Sequence, residues 1–339
     1  MAELVSPRDA ESATTALSRR GSGSATTALS RRGSGSATTG LSPRGRRGVR
    51  FVRALAPIPW LLPALVLIGG VVLWPVVEMV RTSFLRIGTS GYVRGSAGIS
   101  KYTDLFGEPA FAHVLLRTVE WVVVVVAATV VISLLLAQLL NRRFPGRTVV
   151  RWALIVPWAA SVVMSSIIFK WILDWSHGVF NTLLLDLHLI SKPVDWLGTP
   201  TSAFWWMVGV AVFVSVPFTT YVCLAGLQTI PSDVYEAAEV DGSSRLNTYW
   251  RITLPLLRPA LLVGSVINII NVFNSFPIIY TMYTGAGYDA DTTTTFMYKL
   301  KDTDIGESAA AAVVNFILVI VFVLFYLRAT RWNEAVAKK

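Results

Sequence analysis

Six stretches of the chain are each long and apolar enough to cross a bilayer, and no other feature restricts its fold as tightly. They run from Ile58 to Val80, Trp121 to Leu140, Trp152 to Phe169, Phe204 to Leu227, Ala260 to Tyr283 and Ala309 to Leu327. A helix rises about 1.5 Å per residue, so about 20 apolar residues cross a hydrocarbon core about 30 Å thick. Every backbone amide and carbonyl in that core must be paired within the protein, which leaves helices or closed barrels. The alternating pattern of a barrel strand is absent, so the expectation is an all-α polytopic membrane protein with six transmembrane helices. Composition agrees: 15% of residues are charged, against about 25% in soluble domains, which excludes an ordinary soluble globular protein.

The net charge of +10 would suit a nucleic-acid partner only if the positive groups gathered on a folded surface. Ten of the 30 Lys and Arg instead lie in residues 1–53, together with three acids. There SATTALSRRGSG occurs twice and SATTGLSPRG follows, a twelve-residue repeat. Such sequence has too little apolar surface to offset ordering entropy, so a disordered basic tail with some attraction to anionic headgroups is expected, and no nucleic-acid role. It also lacks the apolar core of a cleavable signal peptide. The membrane domain is then 54–330, with a short cytoplasmic tail at 331–339. An N-terminus placed in the cytoplasm puts 21 Lys and Arg on that side and 8 on the other, with Lys170 at the outer end of the third span. The positive-inside rule therefore makes both termini cytoplasmic. Trp60, Trp121, Trp152, Trp171, Trp205 and Tyr326 near the span ends read as interfacial anchors. Glu78, Glu120 and Lys170 near the outer ends read as snorkelling or gate contacts.

Catalytic chemistry finds little support. Cys223 is the single cysteine, and His113, His177 and His188 are far apart without ligand spacing, so no disulfide framework or metal cluster is expected. The phosphate loop of a nucleotide hydrolase, Gly, four residues, Gly-Lys-Ser/Thr, does not occur.

One segment is too polar to span and too long for a tight turn. Between Ile230 and Ala260 it begins with Pro231, Ser232 and Asp233, a capping residue and an early acid suited to the free amides and positive end of a helix. A short helical run, Tyr235 to Val240, is closed by Asp241-Gly242, since glycine tolerates the left-handed backbone that ends a helix. A second amphipathic stretch, Leu246 to Leu254, leads to Pro255 and the fifth span. Its acids, Asp233, Glu236, Glu239 and Asp241, suit a basic protein partner better than an anionic headgroup layer.

This segment resembles the EAA loop of bacterial ATP-binding-cassette (ABC) importer permeases. The family pattern is Glu-Ala-Ala, three residues, Gly, nine residues, Ile, one residue, Leu-Pro. It is met by Glu236, Ala237, Ala238, Gly242, Ile252, Leu254 and Pro255. From about residue 57 to 330 the chain is similar to the sugar-permease branch, in particular the maltose-permease-like half. The phrases PWLLPALVLIGGVVLWPVV, KYTDLF, PWAASVVMSSIIFKWILD, LAGLQTIPSDVYEAAEVDGSS and ITLPLLRPAL carry that likeness. It departs at Gly285-Ala286-Gly287, where Gly-Gly-Pro is common, at Arg117, where Asn is common, and in lacking a tryptophan common in the fourth span.

The resemblance implies the MetI-like permease fold in a bacterial cell membrane and a subunit that is not itself an enzyme. It implies a second permease subunit, two ABC ATPase subunits, an extracytoplasmic solute-binding protein and a sugar substrate. No cofactor belongs to this chain, since ATP and Mg sit in the partner ATPase. Coupling falls to Tyr235, Glu236, Ala237, Ala238, Asp241, Gly242, Ile252, Leu254 and Pro255. A substrate path follows from depth: counted from Ala260, Asn268, Asn271 and Asn274 reach the bilayer midplane at about 1.5 Å per residue. With Ser265 and Ser275 they cover about half the helix circumference, and Ser215 and Phe218 reach similar depth beside Pro217. Uncharged amides and hydroxyls suit a neutral polyol, and they equally suit bonds between helices. The competing functions are an ion-gradient-driven transporter or channel, which needs ionisable groups near midplane, and an integral membrane enzyme.

Overall fold

The computed structural model describes residues 58–88, 90–283, 285 and 287–337, so the repeat tail at 1–53 lies outside the described residues. The first span comprises α1 (Ile58–Leu67), a π-helical stretch at Ile68–Leu73 that holds Gly69 and Gly70, and α2 (Trp74–Thr82). None of its membrane-crossing window is buried within the chain. A short antiparallel hairpin follows, β1 (Leu85–Ile87) with β2 (Val93–Ser96), Leu85 opposite Ser96 and Ile87 opposite Val93. This small sheet is an addition to the all-α expectation. Next come α3 (Ser100–Gly107) and the second span, α4 (Pro109–Asn141).

The third span is not the single helix expected from Trp152 to Phe169. It is divided into α5 (Arg147–Ala159) and α6 (Val162–Ile172), bent by 101°. Ala160 and Ser161 both take extended backbone, with ψ of 144° and 143°, shortly after Pro157 removes an amide donor from the helix. The two halves reach opposite ends of the fifth span: Val150 and Leu154 on α5 pack on the cluster that holds Leu257, and Lys170 near the end of α6 donates to the Thr281 carbonyl at 2.9 Å. After α7 (Val179–Asp186) the fourth span, α8 (Pro200–Gln228), is the most buried, with 61% of its window inside the chain.

The fifth span also departs from the expected continuous run. α9 (Ser232–Val240) precedes α10 (Arg245–Thr248), a π-helical turn at Tyr249–Thr253, and α11 (Leu254–Phe273). The last three form one uninterrupted helix, Arg245–Phe273. It stops at Asn274 and Ser275, and α12 (Phe276–Met282) restarts with a proline in its first turn. The side chains at the break add to the bonds that the Asn274 amide makes to the last carbonyls: Asn274 Nδ2 donates to Ile270 O at 2.8 Å and Ser275 Oγ to Asn271 O at 3.2 Å. α13 (Thr293–Leu300) and the sixth span, α14 (Ile305–Ala337), complete the chain.

Three apolar clusters order these helices from one membrane face to the other. The central one joins Trp121 and Val125 of α4, Phe204, Met207 and Ala211 of α8, and Ile269 and Val272 of α11. Trp121, expected at an interface, is fully buried there, and its Nε1 donates to Val272 O at 3.1 Å. Trp152, Trp171 and Trp205 are exposed on the chain's surface, whereas Tyr326 packs partly against the core. The inner cluster joins Leu140, Cys223, Leu227 and Leu257, and the outer one Leu105, Phe111, Phe296 and Ala310.

Candidate functional site

The Glu-Ala-Ala segment folds into a knob at the inner end of spans four and five. Only Thr229 to Pro231 separate α8 from α9. Pro231 itself occupies the position before the helix, so Ser232 falls one residue inside it and makes no cap; its hydroxyl faces the Asp233 carboxylate at 3.3 Å. The other end closes as the glycine predicts. Gly242 has a φ of +71°, its amide donates to Glu239 O at 3.0 Å, and the Ser243 amide donates to Ala238 O at 2.9 Å. These two crossed bonds end the helix and turn the chain back toward the bilayer. An added Cβ at Gly242 would meet nothing, so the demand for glycine there is one of backbone conformation alone.

Ser243 then fastens the return limb, accepting from Asn247 Nδ2 at 2.9 Å and Thr248 Oγ1 at 3.1 Å, while Ser244 caps α10. The π-helical turn lies directly ahead of Pro255, which has no amide to continue the ladder. Tyr235 Oη lies 3.4 Å from Thr253 Oγ1 and links the two limbs. Ile252, Leu254 and Pro255 are half-buried where the limb enters the membrane. The two alanines differ: Ala237 faces outward with Glu236 and Asp241, and Ala238 is buried at 5% exposure.

Sequence reasoning missed the apolar part of this surface. Val240 is 88% exposed, Leu246 70% and Trp250 59%, interleaved with the exposed acids Asp233, Glu236, Glu239 and Asp241. Apolar side chains in an otherwise polar loop were the available signal. Also missed was the tight base of the knob. A Cβ on Gly226 would lie 2.5 Å from Ala260 Cβ and 2.7 Å from Leu257 Cδ1, and one on Gly264 would lie 3.1 Å from Val222 Cγ1. Spans four and five touch through these glycines just inside the membrane.

The residues expected along the substrate path are not gathered in one place. Asn271 and Asn274 are exposed and adjoin Ser275 at the break in the fifth span. Asn268 is 3% exposed and its Nδ2 has no partner. Ser215 is half-buried and its carbonyl accepts from Thr219 Oγ1 at 3.1 Å. Phe218 faces an apolar groove of about 510 Å³ shared with Ile155, Trp158 and Tyr221. Near the outer ends, Arg117 pairs with Glu120 at 2.9 Å and lies 4.6 Å over the Phe204 ring, and Glu78 pairs with Arg81 at 3.3 Å.

Comparison with known proteins agrees with this arrangement. Residues 35–338 match the family model of the binding-protein-dependent transport system inner membrane component. The chain is 35% identical over 279 residues to the trehalose/maltose transport system permease protein MalF of Thermococcus litoralis, across 81% of this chain and 93% of that one. It is 34% identical over 279 residues to the sulfoquinovosyl glycerol transport system permease protein SmoG of Agrobacterium fabrum, across 81% and 90%. Its backbone resembles a chain of a bacterial importer of the acidic polysaccharide alginate, with a TM-score of 0.72 and 23% identity over 84% of this chain and 98% of the other. That transporter is also known in complex with a periplasmic protein holding an alginate pentasaccharide. The apolar spans, the Glu-Ala-Ala knob and these matches together make this multi-pass bacterial inner-membrane chain a member of the family of inner membrane components of binding-protein-dependent transport systems.

Proposed function

We propose that this chain is the non-catalytic permease subunit of an ATP-driven importer for a sugar or related carbohydrate. The observation that carries the reading is the knob, a rigid protrusion offering apolar Val240, Leu246 and Trp250 among acids. Apolar groups so exposed need a partner surface, and acids at their rim suit a basic groove. In this reading the groove belongs to one of two ABC ATPase subunits, which hold ATP and Mg. The knob lies in the cytoplasm with both termini. A second permease subunit completes the path, and an extracytoplasmic binding protein delivers the substrate. A partner shifts a conformational equilibrium only by binding its two states differently, so ATP-dependent closure of the ATPases acts through this contact.

Relatives named for trehalose and maltose, for sulfoquinovosyl glycerol and for alginate support the carbohydrate class. Asn271 and Asn274 support a path along the fifth span, because two amides on an exposed face within a membrane helix suit a wet cavity and not lipid. Glu236→Lys and Gly242→Pro are expected to abolish uptake and transport-coupled ATPase activity while membrane insertion persists. Normal uptake by both variants would remove the coupling role. Asn268→Leu with Asn271→Leu is expected to impair uptake while co-purification of the ATPase is retained. Unchanged uptake kinetics would leave those amides a packing role only.

A further inference from the structure

The short helix between spans three and four is tied to the chain on one side and bare on the other. Where α7 (Val179–Asp186) begins, Gly178 packs so closely on the Ile172 and Asp174 carbonyls that no Cβ fits between them. The Gly178 amide donates to Asp174 O at 3.1 Å, so α7 starts within a turn of the end of α6. Asn181, 3% exposed, binds the loop that leads into α8. Its Nδ2 donates to Val194 O at 2.9 Å, and its Oδ1 accepts from the Val194 amide at 3.2 Å and from Trp196 Nε1 at 3.0 Å. The Phe180 ring meets Trp196 and Trp206 edge to face, each at 5.3 Å, and Trp206 belongs to α8.

Away from these contacts the surface is apolar. Val179 is 68% exposed, Leu183 52% and Leu187 58%, and their spacing of four puts them on one side of the helix. Thr182 and Asp186, also exposed, form a polar edge beside that row. The segment leading in is apolar and open as well, through Ile168, Trp171 and Trp175. The contact with α8 sets the depth. A helix of 29 residues is about 44 Å long against a core of about 30 Å, so centred in the bilayer it leaves about 7 Å at each end. Trp205 and Trp206 then fall where hydrocarbon gives way to headgroups, and α7 lies beside them. Since α8 crosses the membrane between α7 and the knob, the two occupy opposite faces.

We propose that α7 is an interfacial helix, seated in the bilayer surface on the face opposite the knob, with Val179, Leu183 and Leu187 against acyl chains and Thr182 and Asp186 toward headgroups and water. An apolar row left in water demands a cover, and at this depth lipid is the cover at hand. Tryptophan is the side chain enriched at that layer, and Trp171, Trp175 and Trp205 are all open there. Through Gly178 and Asn181 the seated helix holds the adjoining ends of α6 and α8 at the membrane surface.

The test is fluorescence quenching at single positions, on the assembled transporter in nanodiscs. Cys223 is 1% exposed, so a thiol-reactive fluorophore goes to an introduced cysteine, and the wild type labelled in parallel gives the background. Labels on Val179→Cys and Leu183→Cys are expected to lose most of their emission to lipid brominated on the acyl chain near the headgroup, and little to aqueous iodide. Labels on Thr182→Cys and Asp186→Cys should show the reverse order. All four positions are exposed, so none of these substitutions removes a packed side chain. Strong iodide quenching at 179 and 183 overturns the proposal, because the row then faces water. Protection from both quenchers at those positions overturns it too, because a protein, such as a second permease subunit, then covers the row. Neither reading depends on what the transporter carries.

Discussion

The knob between spans four and five and the cap at the other end, formed by α3, α13 and the start of α14, are held together by opposite means. Apart from the Tyr235 to Thr253 approach, every hydrogen bond that shapes the knob joins residues at most five apart: Gly242 to Glu239, Ser243 to Ala238, Thr248 and Asn247 to Ser243. The outer cap is built from long-range contacts. Lys101 reaches Asp304, Thr118 Oγ1 accepts from the Thr293 amide at 2.9 Å, Thr293 Oγ1 meets Asn315 Oδ1 at 2.6 Å, and the Phe111 and Phe296 rings lie 5.7 Å apart. A locally specified element keeps its shape while the helices beneath it move. One held by distant partners reports every change in their spacing.

That contrast can be broken by comparing the damage done at each end. The largest stability loss is expected for Lys299→Met, because Asp291 is 3% exposed and Lys299, 2.6 Å away, is its ion-pair partner. Leaving a buried carboxylate without its partner costs about 3 kcal/mol, read as a lower unfolding temperature in detergent. A smaller loss elsewhere in the cap than in the knob would undo the contrast.

Gly242→Ala comes next, at about 1–2 kcal/mol for a left-handed alanine. Its effect should fall on transport-coupled ATPase activity more than on unfolding, and Gly242→Asn, which tolerates that backbone, should recover much of it. Equal loss in both variants would point to a packing constraint instead.

The smallest effect is that of acid on the cap. Burial pushes the Asp304 carboxyl up, but the Lys101 ammonium and the Glu307 amide outweigh burial and hold it below its ordinary 3.8. A carboxyl depressed in the folded state stabilises fully above its unfolded value and loses that contribution as pH falls through the folded one. Protection from hydrogen exchange around α3 and the turn before α14, taken relative to the intrinsic rate at each pH, should therefore fall as the pH drops below about 3.8. Asp304→Asn should remove that acid response; an undiminished one would assign it to another group.

What the sequence made legible follows the same division. The knob could be read because Glu236, Gly242 and Pro255 sit at fixed spacing and each acts on its own neighbours. The spans could be read because burial in lipid demands length and apolarity alone. The bend at Ala160-Ser161 was not legible, since neither residue by itself marks a break and Pro157 alone does not say where the helix will turn. Asn274 and Ser275 fit two roles for one chemical reason: the same amide and hydroxyl that suit a sugar also suit the carbonyls of a helix end. Asn268, Asn271 and Asn274 share one side of a helical projection, but only tertiary packing decided that Asn268 would be enclosed and the other two open. The hairpin, three and four residues per strand, was too short to register against apolar runs of twenty.

Arg245–Phe273 is a single rod of 29 residues, about 44 Å long, and Gly226 and Gly264 leave it no slack against its neighbour. Such a rod cannot slide by small increments, because the glycine seam fits in one register. It can only tilt, like an oar in its rowlock, with the seam as fulcrum: a modest push on Trp250 below would swing Asn271 and Asn274 through an arc above.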